Sequence, residues 1–304
     1  MKEFKFSSKG AGEICAYRWE PEGEVRAVVQ ILHGVAEYAL RYDEFARFLT
    51  AKGCLVVAHD HMGHGKSEGC GIPLHFAGGW DAVTEDCHSL FCRAREEFPN
   101  VPYILFGHSM GSFLARTVLC RYPELPLRAA VLCGTAWQPA PILLGGRAIG
   151  RLEALRLGNT KHSKLMNDLM FGAYNKKIKD AKGPNDWISS TPESVRAYTE
   201  DPLCGGEVSI GLANDMLRGL TEIQKKKNLR KMRKDLPILF IAGQDDPVGD
   251  MGKGVARAAD RFRSCGMQQV ELEICKGRHE ILLEAHREEV FEILWNFMEN
   301  QIKM

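Results

Sequence analysis

The chain of 304 residues carries 40 Lys+Arg against 39 Asp+Glu, a formal charge of +1. With 45% hydrophobic and 26% charged residues, it has the balance of a soluble globular protein able to bury a full core without disulfides or metal. The even charge argues against bulk nucleic-acid binding, and no apolar run approaches the ~20 residues of a membrane span. Ten Cys at irregular spacings, with no C-x-x-C pair, suit reduced core thiols better than a disulfide framework. The N-terminus (Met1-Lys2-Glu3-Phe4) lacks a continuous apolar stretch of the signal-peptide kind. The combined expectation is a cytoplasmic enzyme.

In chain order, Phe4 and Phe6, a Ser-Ser-Lys-Gly-Ala-Gly turn and Ile14 to Trp19 predict a hairpin. Val25 to Leu32 reads as a buried strand that runs into His33-Gly34. Tyr42, Phe45, Phe48 and Leu49 recur at helical spacing, and Gly53 closes that helix. Leu55 to Ala58 is a short buried strand followed by a Gly- and His-rich loop, 59–71. A helix over 80–98, a strand Tyr103–Phe106, a helix Phe113–Arg121 and a strand Leu127–Cys133 follow. The alternation then breaks into a helical stretch, about 136 to 230, interrupted at Pro139, Pro141, Gly158, Pro184 and Pro192. It resumes with strand 238–242, helix 251–264, strand 269–275 and helix 287–302, whose apolar face holds Val290, Ile293, Leu294 and Phe297. The pattern predicts an α/β fold: a mostly parallel sheet flanked by helices, with an inserted helical lid, or cap. The expected division is core 1–135, lid 136–235 and core 236–304.

Gly107-His108-Ser109-Met110-Gly111 matches G-x-S-x-G between an apolar strand and a helix, the context a nucleophile elbow requires. Gly65-Lys66-Ser67-Glu68-Gly69 matches the same expression, but no strand leads into it directly and Cys70-Gly71-Ile72-Pro73 starts no helix, so Ser67 reads as a loop residue. A P-loop reading of Gly65-Lys66-Ser67 fails because Asp60 stands where its first Gly is needed. His59, His61 and His64 raise a metal hypothesis. No later cluster completes a shell, and the segment reads equally well as a tight loop, so neither metal nor cofactor is expected.

A nucleophilic Ser needs a His to take its proton and a carboxylate to hold the imidazole. Gly243-Gln244-Asp245-Asp246 and Lys276-Gly277-Arg278-His279-Glu280 follow strands, at carboxyl ends where open α/β sheets bind ligands. His279 is the expected base, with Asp245 and Asp246 as rivals for the acid. The oxyanion hole is expected from two backbone N–H groups, that of Met110 after the nucleophile and that of Val35 after the first buried strand.

At these residues the chain resembles the monoacylglycerol lipase and lysophospholipase branch of the α/β-hydrolases, which is grouped with the serine aminopeptidases. The resemblance is carried by His33-Gly34 with Arg41-Tyr42, His59-Asp60-His61-Met62-Gly63-His64-Gly65-Lys66-Ser67-Glu68-Gly69, Gly107 to Gly111, Gly243 to Asp246 and His279-Glu280. It implies Asp246, the last residue of G-x-x-D, as the acid, and His33, Gly34 and His108 around the substrate. The chain departs from that pattern at Val35-Ala36-Glu37-Tyr38, where the family commonly has a small residue, Gly, Glu and His.

Within the lid, Ile142, Leu143, Leu144, Ile149, Leu152 and Leu155 offer an apolar face for a lipid surface or acyl tunnel, or simply for packing on the core. Lys225 to Lys234, with seven Lys/Arg in ten residues, reads as a solvated helix end rather than a membrane contact. Trp187 and Asp201-Pro202-Leu203-Cys204 read as lid packing. The leading functional expectation is a carboxylic-ester hydrolase acting on a small-molecule acyl ester, a monoacylglycerol, a lysolipid or a smaller ester, through an acyl-enzyme on Ser109. Its only other partner is a membrane surface touched transiently by the lid; no nucleic acid is expected. An aminopeptidase or amidase with the same triad is the alternative, with Glu153, Asp168, Glu193 or Glu200 holding a substrate amine. A non-catalytic binding protein on this fold stands third.

Overall fold

A computed structural model describes residues 1–303. The chain opens with the expected antiparallel hairpin, β1 (Lys2–Ser7) and β2 (Glu13–Trp19). β3 (Ala27–Leu32), α1 (Asp43–Ala51), β4 (Cys54–His59), α2 (Gly79–Glu97), β5 (Tyr103–His108), α3 (Met110–Arg121) and β6 (Leu127–Cys133) follow. Next come the helices α4 (Ala140–Leu157), α5 (Lys164–Met170), α6 (Pro192–Glu200), α7 (Ile210–Ile223) and α8 (Lys226–Leu229). The chain then returns to β7 (Ile238–Gly243), α9 (Lys253–Ser264), β8 (Val270–Cys275) and α10 (Arg287–Ile302).

All eight strands join one sheet in the order β1-β2-β4-β3-β5-β6-β7-β8. β2 pairs antiparallel with β4, and every neighbouring pair from β4 to β8 is parallel. β3, β4, β5 and β7 are buried along their whole length, which is why they read as unbroken apolar runs rather than alternating ones. Successive side chains still serve opposite faces. Leu105 and Phe240 pack toward Leu90, Leu114 and Phe262 of α2, α3 and α9. Phe106 and Ile241 pack toward Phe45, Phe291 and Leu294 of α1 and α10. Each such side chain contributes about 1.5–3 kcal/mol by leaving water. The parallel order gathers the loops after β3, β5, β6, β7 and β8 along one edge.

Two helix starts differ from the apolar periodicity, each for a backbone reason. α3 begins at Met110, ahead of Phe113, because the turn at Ser109 delivers the chain straight into the helix despite the weak helix formers Gly111 and Ser112. α9 begins at Lys253 rather than 251, because Asp250, Met251 and Gly252 have φ of 53°, 52° and 79°, which a right-handed helix cannot contain.

The helices between β6 and β7 pack on the core through α7, which lies on α2 and α3. At the crossing, Gly219 faces the indole of Trp80, whose Nε1 donates to Thr117 Oγ1 at 3.1 Å. The start of this insert and the end of α7 are both held by Arg116 of α3, which is fully buried and has no carboxylate partner among the described residues. Its guanidinium donates to the carbonyl of Ala136 (3.0 Å) and Oγ1 of Thr135 (3.2 Å) at the outward root, and to the carbonyl of Ile223 (3.4 Å) at the last residue of α7. Burial pushes its pKa down to about 10.

A Cβ at position 219 would run into the Trp80 indole, whereas one at Gly145 on α4 meets nothing within 4 Å. Gly219→Ala is therefore expected to lose about 1–3 kcal/mol in urea unfolding. Gly145→Ala should hold or gain stability through its better helix propensity.

Candidate active site

The turn after β5 is built by backbone approach. Ser109 has φ 51° and ψ −121°, a region that a non-glycine residue occupies only under strain. A Cβ at Gly107 would strike the carbonyl of Gly111, and one at Gly111 would strike that of Leu32. Both glycines of the motif are thus required by the neighbouring chain. The turn is fixed by Ser109 N–H donating to the Cys133 carbonyl (3.0 Å) and by Ser112 N–H donating to the Ser109 carbonyl (2.9 Å). Ser109 lines a cavity of 420 Å³ at the carboxyl edge of the sheet, within the usual size range of a ligand site.

His279, in the loop after β8, lines the same cavity. Its Nδ1 lies 3.0 Å from Oδ1 of the fully buried Asp246, an oxygen that also accepts from Val248 N–H at 2.8 Å. Asp245 is exposed, with its carboxylate beside Gln244 Nε2, so of the two rivals only Asp246 reaches the imidazole. The His279 ring has two aromatic neighbours, His108 with centroids 4.7 Å apart and Trp187 at 5.2 Å. A Cβ at Gly134 would stand 3.1 Å from His279 Cε1. Trp187 packs within the insert, as read, against the Ile188–Tyr198 cluster, and it also lines the cavity beside the imidazole.

Val35 lines the cavity, and Met110 opens α3. Neither N–H has a protein acceptor among the described residues, which for Met110 is the ordinary state of a first-turn amide. Gly34 also lines the cavity, and its N–H donates to Glu37 Oε1 at 2.5 Å. Ala36, where the family pattern has Gly, takes a positive φ of 54°. The insert holds it there, because Gly205 N–H and Tyr198 O–H both donate to the Ala36 carbonyl, at 3.0 and 3.2 Å. Tyr38 O–H donates to Asp201 at 2.7 Å.

Behind the cavity lies a buried charged network that the sequence reading did not assign. Arg41 forks onto both oxygens of Glu280 (2.5 and 2.8 Å) and donates to Glu37 (2.9 Å). Tyr42 O–H donates to Glu37 at 2.9 Å. His108 donates through Nδ1 to Glu37 at 3.3 Å and through Nε2 to the His279 carbonyl at 3.2 Å. Neither acceptor can donate in return, so the ring carries both protons. Burial works against that charge, but the hydrogen bond and charge of Glu37 outweigh it and raise the His108 pKa. Burial likewise opposes the Glu37 charge, and the His108 hydrogen bond with the Arg41 guanidinium leaves that carboxyl well below the usual range. His108 lines the cavity, with both ring nitrogens committed to the protein.

The expected role of His33 at the substrate is corrected. It is fully buried and absent from the cavity wall. Its Nε2 accepts from His61 N–H (2.8 Å), and Nδ1 donates to the Gly34 carbonyl (2.7 Å). His61 Nε2 faces the His33 carbonyl at 3.1 Å and must donate, which leaves Nδ1 to accept from His59 Nε2 at 3.1 Å. The histidine loop is thus a neutral hydrogen-bond relay beneath the site. His59, His61 and Cys87 form the one group among the described residues whose spacing suits a metal ion, with ligand atoms within 4.8 Å of one another. Ser67 is a loop residue, as read: it donates to the Asp60 carbonyl (2.6 Å) and accepts from Cys15 N–H (2.9 Å).

Residues 23–286 match the family model described as "Serine aminopeptidase, S33". The chain belongs to that family. The S33 chain is 28% identical over 292 residues to a monoacylglycerol lipase of Mycolicibacterium smegmatis, covering 95% of this chain and 94% of that one. To the monoglyceride lipase of Mus musculus it is 26% identical over 276 residues, covering 90% and 80%. Among solved structures, a thermostable carboxyl esterase from Bacillus coagulans superposes with a TM-score of 0.92 at 28% identity, covering 99% and 98%. The protein is therefore an α/β-hydrolase, and its relatives make it a hydrolytic enzyme of the esterase and lipase type.

Burial lowers the pKa of His33 and His59 to about 3 and of His64 to about 4, with His61 also well below the ordinary 6.5. Below pH 6.5 the unfolded chain takes up protons that these folded rings refuse. Their contribution to stability is therefore full above that pH and falls as acid is added toward the folded values. The urea midpoint is expected to drop steadily from about pH 6.5 to 4.5. His64→Gln, which keeps a donor near the Met62 carbonyl, should flatten that slope by about one proton.

Proposed function

We propose that the protein is a serine carboxylic-ester hydrolase acting on monoacylglycerols, lysolipids or similar single-chain acyl esters. The observation that carries this reading is that Ser109 and the Asp246-bonded His279 line one cavity whose wall is mostly apolar. Ser109 is the nucleophile, His279 the base and later the acid, and Asp246 the group that fixes the imidazole tautomer. The N–H groups of Val35 and Met110, which have no other acceptor among the described residues, stabilise the oxyanion that forms as the acyl carbon becomes tetrahedral. The alcohol leaves with the His279 proton, and water then returns Ser109 from the acyl-enzyme.

The helices of residues 136–235 act as the lid in this reading. Ile142, Leu143, Leu169, Met216, Leu217 and Leu220 line the cavity and suit an acyl chain. The aminopeptidase alternative needs a free carboxylate for a substrate ammonium. Glu153, Asp168, Glu193 and Glu200 do not line the cavity. The carboxylates that do are each paired: Glu37 and Glu280 with Arg41, and Asp250 with Lys177 and Arg257.

Of the ten exposed large hydrophobic side chains among the described residues, seven lie between residues 142 and 169, on α4 and α5, and two of these, Ile142 and Leu169, reach the cavity rim. Arg147 and Arg151 stand among them. This face is the one we assign to transient contact with a lipid surface. No helix among the described residues is long and apolar enough to cross a membrane.

Hydrolysis of a medium-chain 1-monoacylglycerol beside an aminoacyl arylamide tests the assignment. Glyceride cleavage is expected, with a loss of about 10⁴-fold or more in Ser109→Ala and in His279→Ala. Cleavage of the arylamide alone would overturn the ester reading. Asp246→Asn is expected to cost about 10³–10⁴-fold in kcat, whereas Asp245→Asn leaves the rate within a few-fold. The reverse order would move the acid to Asp245.

A further inference from the structure

Trp187 and His279 are held together by more than their own contact. The residues on either side of His279 bind the residues on either side of Trp187. Arg278 donates to the carbonyls of Asp186 (2.8 Å) and Ser189 (3.1 Å), and Glu280 N–H donates to the carbonyl of Ile188 (2.7 Å). Glu284, at the end of the same loop, accepts from Ser189 Oγ (2.9 Å), Ser190 N–H (2.9 Å), Thr191 Oγ1 (3.0 Å) and Arg278 N–H (2.8 Å). Trp187 N–H donates to Asn175 Oδ1 at 3.1 Å, and the Tyr174 ring closes on the indole from the insert side at 5.1 Å. The segment 186–191 is thereby tied to the loop of the base, while the exposed helices α4 and α5 carry no such fastening to that loop. The indole stands 5.2 Å from the imidazole, with 37° between the planes, within the range at which a ring face attracts a cation.

We propose, resting on the triad reading above, that Trp187 is a positioning residue for His279. Its indole face braces the imidazole in the Asp246-bonded orientation and stabilises the positive charge that ring gains on taking the Ser109 proton. The insert in this way contributes to the chemistry itself, beyond enclosing the substrate. Five other groups set the charge around His279 and are untouched by a change at 187. They are Asp246 at its Nδ1, the His108–Glu37 pair with the His108 ring 4.7 Å away, the Glu280–Arg41 pair next in the chain, Asp250 with Lys177 and Arg257 on the cavity wall, and Asp186 and Asp180 toward Arg278. Removing only the aromatic face therefore isolates its contribution.

The test is the titration of the His279 imidazole by NMR in a Ser109→Ala background, the resonance being assigned by its loss in His279→Gln. This readout needs no turnover, so it stands even where the ester reading falls. In Trp187→Leu the His279 pKa is expected to fall by about half a unit to one unit, and in Trp187→Phe by less. In the active enzyme the acid limb of kcat/KM should move to lower pH by the same amount, and kcat should drop about three- to ten-fold with KM little changed. Simple exposure of the ring to water would move the pKa up instead, so an unchanged or raised value in Trp187→Leu overturns the proposal. Should that variant fail to fold, incorporation of difluorotryptophan keeps the volume and weakens the negative ring face. The same downward shift is then expected, and its absence overturns the proposal equally.

Discussion

The site depends on how closely three stretches of backbone approach at Ser109. Gly111 lies against the Leu32 carbonyl and Gly107 against that of Gly111, with no room for a Cβ at either position. That approach sets the height of α3 over the sheet, and with it the direction in which the chain must turn between β5 and α3. The turn costs on the order of 1–3 kcal/mol in strained dihedrals. It persists because the strands on either side are buried throughout and α3 is packed into the core along its length. A Ser in a relaxed turn would not stand at the edge where the loops of β3, β7 and β8 converge.

A second layer keeps those loops in register. Arg41 joins Glu37, in the loop after β3, to Glu280, beside His279. Two regions far apart in the chain are thereby fixed by one guanidinium, and His108 adds a link from Glu37 to the His279 carbonyl. Buried ions of this kind gain little net stability over an apolar replacement, because desolvation consumes most of the Coulombic attraction. Their effect is geometric: a fork of two N–H groups accepts one arrangement of carboxylates and no other. Orienting the peptide that bears Val35 N–H relative to the imidazole calls for that kind of constraint.

The parts of this arrangement legible in the sequence are those written in local patterns. The buried strands show as apolar runs, the elbow as Gly107 to Gly111 between a strand and a helix, and Asp246 and His279 as residues that follow strands in the right chain order. Boundaries failed where the backbone enters the left-handed region, as at Asp250 and Met251, whose side chains give no sign of it. His33 was misplaced because its direction is set by His61 and His64, which come from another loop. Trp187 was passed over because nothing near it in the chain marks it. Its importance lies in contacts to residues 278–284, roughly a third of the sequence away, and in a helical stretch an aromatic side chain reads as packing. Arg41 and Glu280 were quoted as parts of a motif, yet their mutual pairing is visible only once the two ends of the fold have met.

Arg116 has one more consequence. A single side chain on α3 grips the insert where it leaves the core, at Thr135 and Ala136, and again at the end of α7, at Ile223. The two points are therefore anchored from the core side, through main-chain carbonyls and one hydroxyl. Ile223 is the last residue of α7, the helix that Gly219 seats on Trp80, so Arg116 and that crossing together make α7 part of the core's own packing. The exposed outer faces of α4 and α5 take no part in this hold. What the insert shows to solvent can therefore change while its seat on the core stays fixed.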